Sequence, residues 1–153
     1  MGVLGQMYRL LTVAGAHEAD KASDRRPLQL RLNDARRELD FAEREGRGDP
    51  DHLRLLVLEM ERTFELRNTH ARLLEGQDQE DAAMELYENN VTDMFAGAFP
   101  YERLLDIYTR QKAAKEAQRV ARACLAHADL SEATELRERC ITTLQIPHEI
   151  GQG

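Results

Sequence analysis

The sequence predicts an all-α protein, and three observations carry that expectation. Apolar residues recur every three or four positions in stretch after stretch, as on one face of a helix. No segment alternates apolar and polar residues for long enough to read as a strand. With no Trp and only 5% aromatic residues, the core must be built from Leu, Ala, Met and Val, a palette that favours helices over a sheet. At 153 residues the chain suits one domain.

Taken in order, residues 1–26 read as an amphipathic segment followed by a polar linker. Val3, Met7, Leu10 and Ala14 share one helical face, interrupted by Gly5 and Gly15. The helical domain is expected over 27–146. Pro27 opens a first helix whose stripe is Leu28, Leu32, Ala35, Leu39 and Ala42. Gly46 stops it, Asp49 caps the next helix and Pro50 takes its first turn. That second helix is long, about 50–75, with Leu53, Leu56, Met60, Phe64, Ala71 and Leu74 near one face. Leu55 and Leu58 widen the face, which predicts neighbours on two sides.

Gly76 and Asp78 break the chain before a third helix, about 79–94, with Ala83, Leu86, Tyr87 and Val91 inward. A turn at 96–100 precedes a fourth helix to about Lys112, and a fifth follows over 114–128. Ser131 is expected to cap a last helix carrying Leu136, Cys140, Ile141 and Leu144, which Pro147 ends. Residues 147–153 read as a tail.

Two stretches also repeat each other at a spacing of 34 residues. Ala83, Tyr87 and Asn90 precede Ala117, Ala121 and Cys124 by that interval, and Ala71 and Leu74 precede Leu105 and Tyr108 likewise. The second copy reads Tyr101-x2-Leu104-Leu105-x2-Tyr108, then Ala117-x3-Ala121-x2-Cys124. This resembles the tetratricopeptide (TPR) repeat over about 64–131. The copies depart from the family pattern at Arg67, His70 and Leu105, and Asp129 replaces the closing proline. The resemblance implies antiparallel hairpins stacked as a short right-handed solenoid. Residues 27–63 would form a hairpin extension, 64–131 two repeats and 131–146 a capping helix, since a repeat cannot bury its stripe alone. It further implies a non-enzymatic adaptor that binds a peptide or partner helix on its concave face.

By the register of that resemblance, the candidate partner-binding residues are Asn68, Arg72, Phe99, Glu102, Arg103, Asp106 and Arg110. Arg103 and Arg72 suit bidentate grip of a carboxylate. Family members that clamp a C-terminal carboxylate use Lys and Asn at several such places; Glu102 and Asp106 stand here instead, which argues against a clamp. The competing reading makes these residues solvated charges with local pairs. The segment from Met94 to Tyr101 is the most aromatic, either a hydrophobic contact surface or packing between helix pairs.

The net charge of −7 disfavours a protein that neutralises phosphates. The acids concentrate: 77–99 holds six acids and no base, so this stretch either faces a basic partner or solubilises a helix. Arg25, Arg26, Arg31, Arg36, Arg37, Arg44 and Arg47 crowd the first helix, which leaves a nucleic-acid-associated regulator as an alternative. Five acids interleave from Asp34 to Glu45, however, so nucleic acid is a disfavoured partner. A third reading is self-assembly through residues 3–14. Cys124 and Cys140 fall on apolar helix faces, which makes a reducing cytoplasm the simpler setting. Cys124, His127 and Cys140 have the makings of a zinc site, but small buried thiols at a tight crossing explain them better. There is no phosphate-cradling glycine loop, nucleophile elbow or membrane-spanning run, so no cofactor, metal, catalytic group or membrane is expected.

Overall fold

The computed structural model describes residues 24–147. The amphipathic 3–14 segment, most of the linker after it and the tail from His148 onward lie outside the described residues. Within them the chain is all helix and turn, without a strand. The helices are α1 (Leu28–Glu45), α2 (Pro50–Gly76), α3 (Glu80–Thr92), α4 (Phe99–Arg110), α5 (Ala114–His127) and α6 (Thr134–Gln145).

Local chemistry sets most of the boundaries. Pro27 sits immediately before α1, and Gly46 closes that helix in the left-handed conformation at φ 62°. Asp49 then caps α2 by accepting a hydrogen bond from the His52 amide at 3.1 Å, with Pro50 in the first turn. Ser131 does not cap α6: that helix starts at Thr134 after Ala133, without a side-chain cap. Ser131 instead donates its amide to Asp129 Oδ1, so the local turn claims it.

Each helix packs on the next, and α3 also touches α5. Exposed ion pairs match the antiparallel register of the first hairpin: Arg54 of α2 meets Glu43 of α1, and Arg36 of α1 meets Glu61 of α2. Three turns end in the same way. Gln79, Phe95 and Ala113 donate their amides to the carbonyls of Leu74, Asn90 and Tyr108, five residues back. The residue before each donor, Asp78, Met94 or Lys112, takes a φ near +60°. These are Schellman closures made without glycine. The first and third lie 34 residues apart and have the same φ of 57°.

Two apolar clusters result. The larger runs from Ala71 to Cys140, with Ala83, Ala117 and Ala121 buried among Leu104, Leu105, Val120 and Tyr87. The smaller joins Leu28, Leu32 and Phe64, with Val57, Met60 and Phe95 against it. Helix α2 has neighbours on two sides, α1 and α3, yet Leu55 and Leu58, expected to widen its buried face, are exposed, Leu55 at 61%.

The loop from Asp93 to Ala98 joins these parts. Asp93 Oδ1 accepts the Leu28 amide at 3.1 Å, and the Asp93 carbonyl accepts the Gln29 amide, also at 3.1 Å. Oδ2 takes Arg67 Nη1 at 2.6 Å. Gln29 Oε1 accepts the Ala96 amide, and the Ala96 carbonyl accepts the Asp129 amide from the next connection. The Phe95 ring lies 4.7 Å from that of Phe64, and its carbonyl accepts the Tyr101 hydroxyl.

Asp93→Ala therefore leaves the start of α1 uncapped and Arg67 half-buried without its carboxylate. A loss of about 2–4 kcal/mol is expected in chemical denaturation. Asp93→Asn, which keeps an acceptor for Leu28, should lose less.

Gly97 supplies a second check. A Cβ there would stand 2.6 Å from Cε1 of the Phe95 ring, which Phe64 backs. Gly97→Ala should cost about 1–3 kcal/mol by overpacking, read as a lower melting temperature.

Candidate functional site

The seven candidate residues fall on α2 and α4, and the structure brings most of them into one connected surface. Arg72 is exposed, with its guanidinium carbon 5.4 Å from the centre of the Phe99 ring. Phe99 is half-buried and meets Tyr87 edge-on at 5.8 Å, so it serves as packing and as a stacking platform together. Glu102, one turn further along α4, is exposed.

Arg103 is already occupied. Its Nη2 donates to Glu75 Oε1 at 2.5 Å and its Nε to Glu75 Oε2 at 3.1 Å, a bidentate fork from α4 to α2. Its Nη1 donates to Asp106 Oδ2 at 2.8 Å. Asp106 passes the chain on, its Oδ1 accepting Arg139 Nη1 of α6 at 2.6 Å. Carboxylate and guanidinium thus alternate across α2, α4 and α6 as Glu75, Arg103, Asp106 and Arg139. Arg110 completes the edge by donating to Glu80 Oε2 at 2.8 Å. Asn68 is turned to internal use: its Oδ1 accepts Asn90 Nδ2, which also reaches the Phe64 carbonyl.

The repeat register puts Glu75 on the concave face without its partners, and sequence reasoning missed the roles of Asn90, Glu88 and Gln118, because all of these depend on residues far along the chain. Glu75 accepts the Tyr87 hydroxyl at 2.6 Å as well as Arg103, and these bonds hold its carboxyl below the usual range, Arg103 contributing most. Burial, then the bond to Glu75, pushes the Tyr87 phenol up. Glu88 makes the matching link on the other side, accepting Tyr108 at 2.6 Å and Arg119 of α5 at 2.5 Å.

Within the acidic stretch, Glu80, Glu88 and Asp93 are therefore spent inside the fold, leaving Asp78, Asp81 and Glu85 exposed. The arginines of α1 are similarly engaged: Arg36 with Glu61, Arg37 with Asp34, and Arg44 with Asp40. Cys124 and Cys140 are fully buried, and the neighbouring Cys140 thiol together with burial raises the Cys124 thiol. His127 is exposed, and no group of three or more metal-ligating side chains gathers among the described residues. No described helix is long and apolar enough to cross a membrane. Compared with protein-family models, curated proteins and solved structures, the chain matches none.

The depressed Glu75 pKa sets a sign for acid stability. A carboxylate more acidic in the folded state stabilises the protein above its unfolded pKa, and that contribution is lost as pH falls through the folded value. Between pH 7 and about 4.5 the parent should keep this contribution, losing it progressively below. Glu75→Gln should be less stable at pH 7, and its deficit should shrink below pH 4. A deficit unchanged down to pH 3 in denaturant titrations would show that the Arg103 pair contributes nothing.

Proposed function

We propose that this chain is a non-enzymatic adaptor, a short TPR-like right-handed solenoid that holds a peptide or partner helix across α2 and α4. The observation that carries the reading is the surface formed by Arg72, Phe99 and Glu102: an exposed cation over a half-buried ring, with an exposed acid beside it. Such a platform offers an aromatic anchor and a polar partner without having to rearrange, which limits the entropy lost on binding. Supporting the repeat reading are the matched turns at Asp78 and Lys112 and the buried small residues Ala83, Ala117 and Ala121. In this reading α6 is the capping helix, and the protein works in the cytoplasm.

Arg103 takes a different part from Arg72. With three of its nitrogens on Glu75 and Asp106, it positions α4 against α2 and sets the floor on which a partner lies. Affinity purification with the parent, followed by mass spectrometry, identifies the bound proteins. A double variant, Arg72→Glu with Glu102→Lys, should lose the specific partner while keeping its helicity and melting temperature. Exposed charges of this kind contribute only about 0–1 kcal/mol to folding. Arg44→Ala on the opposite hairpin should retain the partner. Equal recovery with the double variant would place the partner elsewhere and end this proposal.

A further inference from the structure

A cavity of about 450 Å³ opens where the end of α4, the start of α5 and the end of α6 meet. None of the seven candidate residues lines it, so it stands independently of the surface described above. Its size lies within the roughly 300–1,000 Å³ of small-ligand sites. Tyr108, Ala114, Ala117 and Ile146 give it apolar walls.

Three observations bear on what it would hold. The first is charge: in a chain of net charge −7, the lining contains Lys112 and Arg139 and no acid. Arg139 gives one nitrogen to Asp106, while Lys112 has no carboxylate partner among the described residues. The second is the start of α5, beside Lys112: it follows Ala113 without a side-chain cap, so its first amides carry partial positive charge toward the same corner. The third is Gln118, only 3% exposed, on the cavity wall. Its Nε2 donates to the Thr143 and Ile146 carbonyls, which fixes the amide's orientation. Its Oε1 is buried and accepts nothing. A buried acceptor without a donor is a free-energy cost, and a ligand N–H relieves it only where the wall parts, because the oxygen itself is closed off from the cavity.

We propose that this cavity is a docking site for an acidic partner peptide, one that presents a carboxylate next to an aliphatic side chain. The carboxylate sits on the Lys112 ammonium and the first amides of α5. The aliphatic side chain enters the space between Ala114, Ala117 and Ile146. As the wall parts to admit it, a backbone N–H of the peptide donates to Gln118 Oε1. The chemistry is complementary at each point: anion to cation, alkyl to alkyl, donor to orphaned acceptor.

Lys112 allows a test that spares the fold. It holds φ at +57°, a conformation that glycine adopts without strain, so Lys112→Gly removes the ammonium and keeps the turn. The probe is the tetrapeptide Gly-Glu-Leu-Gly, acetylated and amidated so that its only carboxylate is the side chain, titrated into the 15N-labelled full chain. Saturable shifts are expected at the amides of Lys112, Ala114, Gln118 and Thr143. A twin with Gln for Glu should bind about tenfold or more weakly, and the Lys112→Gly protein should show a similar loss for the parent peptide. Equal binding of the two peptides, or no shift at these amides at millimolar peptide, overturns the proposal. So does a silent titration in a chain where Glu149→Gln with Ile150→Asp shifts the same amides, because the chain's own segment would then be the occupant.

Discussion

The Asp93 carboxylate is the point on which the rest of the arrangement depends. Helix α1 begins directly after a proline and has no acid in its first turn, so nothing in its own sequence caps it. Asp93, 65 residues away, supplies that cap with one oxygen and holds Arg67 of α2 with the other. Its carbonyl takes the next free amide of α1, from Gln29. One residue therefore satisfies two orphaned donors and a half-buried guanidinium, groups that would each be costly to leave unmet. Because the same loop bonds to the connection before α6 through Ala96, the angle of the first hairpin and the placing of the later helices are set together.

A second constraint follows from the turns. Asp78, Met94 and Lys112 accept left-handed backbone without being glycine, a strain of order 1–2 kcal/mol each. What offsets it is geometric: each closure satisfies late helix carbonyls and reverses the chain within a few residues, bringing antiparallel apolar stripes into contact at once. The charged residues then act at the seams. Glu75 with Arg103 joins α2 to α4, Asp106 with Arg139 joins α4 to α6, and Glu88 with Arg119 joins α3 to α5. Singly, such pairs add little at an exposed surface. Arg103 and Asp106 each serve two partners, so ordering one side chain supports more than one bond.

Much of the fold was legible because it rests on local signals. Gly46, Asp49 and Pro50 mark a helix end and a helix start by chemistry that needs no distant neighbour, and the Ala–Leu stripes mark the buried faces. Ser131 misled because Asp129 holds both its amide and its side chain in a turn, and the helix starts only at Thr134. Leu55 and Leu58 misled because a helical stripe records which side is apolar, not whether anything covers it. The candidate surface was legible in position but not in state. Register placed Arg103 beside Asp106, yet its fork to Glu75 links positions 28 residues apart, and only folding brings them together. Asp93 looked like one acid in a run of six for the same reason.

The two ends of the described chain are finished differently, and the difference bears on where partners can act. At the hairpin end the uncovered groups are apolar, with Phe41 at 59% exposure and Leu55 more open still. At the α6 end an exposed lysine without a carboxylate among the described residues, an uncapped helix start and a buried amide oxygen gather around one cavity, beside the exposed Ile141 and Ile146. Between them the ladder from Glu75 to Arg139 is closed upon itself, each charge already answered by its neighbour. A partner crossing that ladder gains little from its charges, because every new ion pair must displace an old one. On the adaptor reading proposed above, affinity should therefore come from groups that the fold leaves unanswered, the Arg72–Phe99 platform on one side and the Lys112 corner on the other. Specificity would lie in the spacing between them, which the fold keeps constant by tying α2, α4 and α6 together.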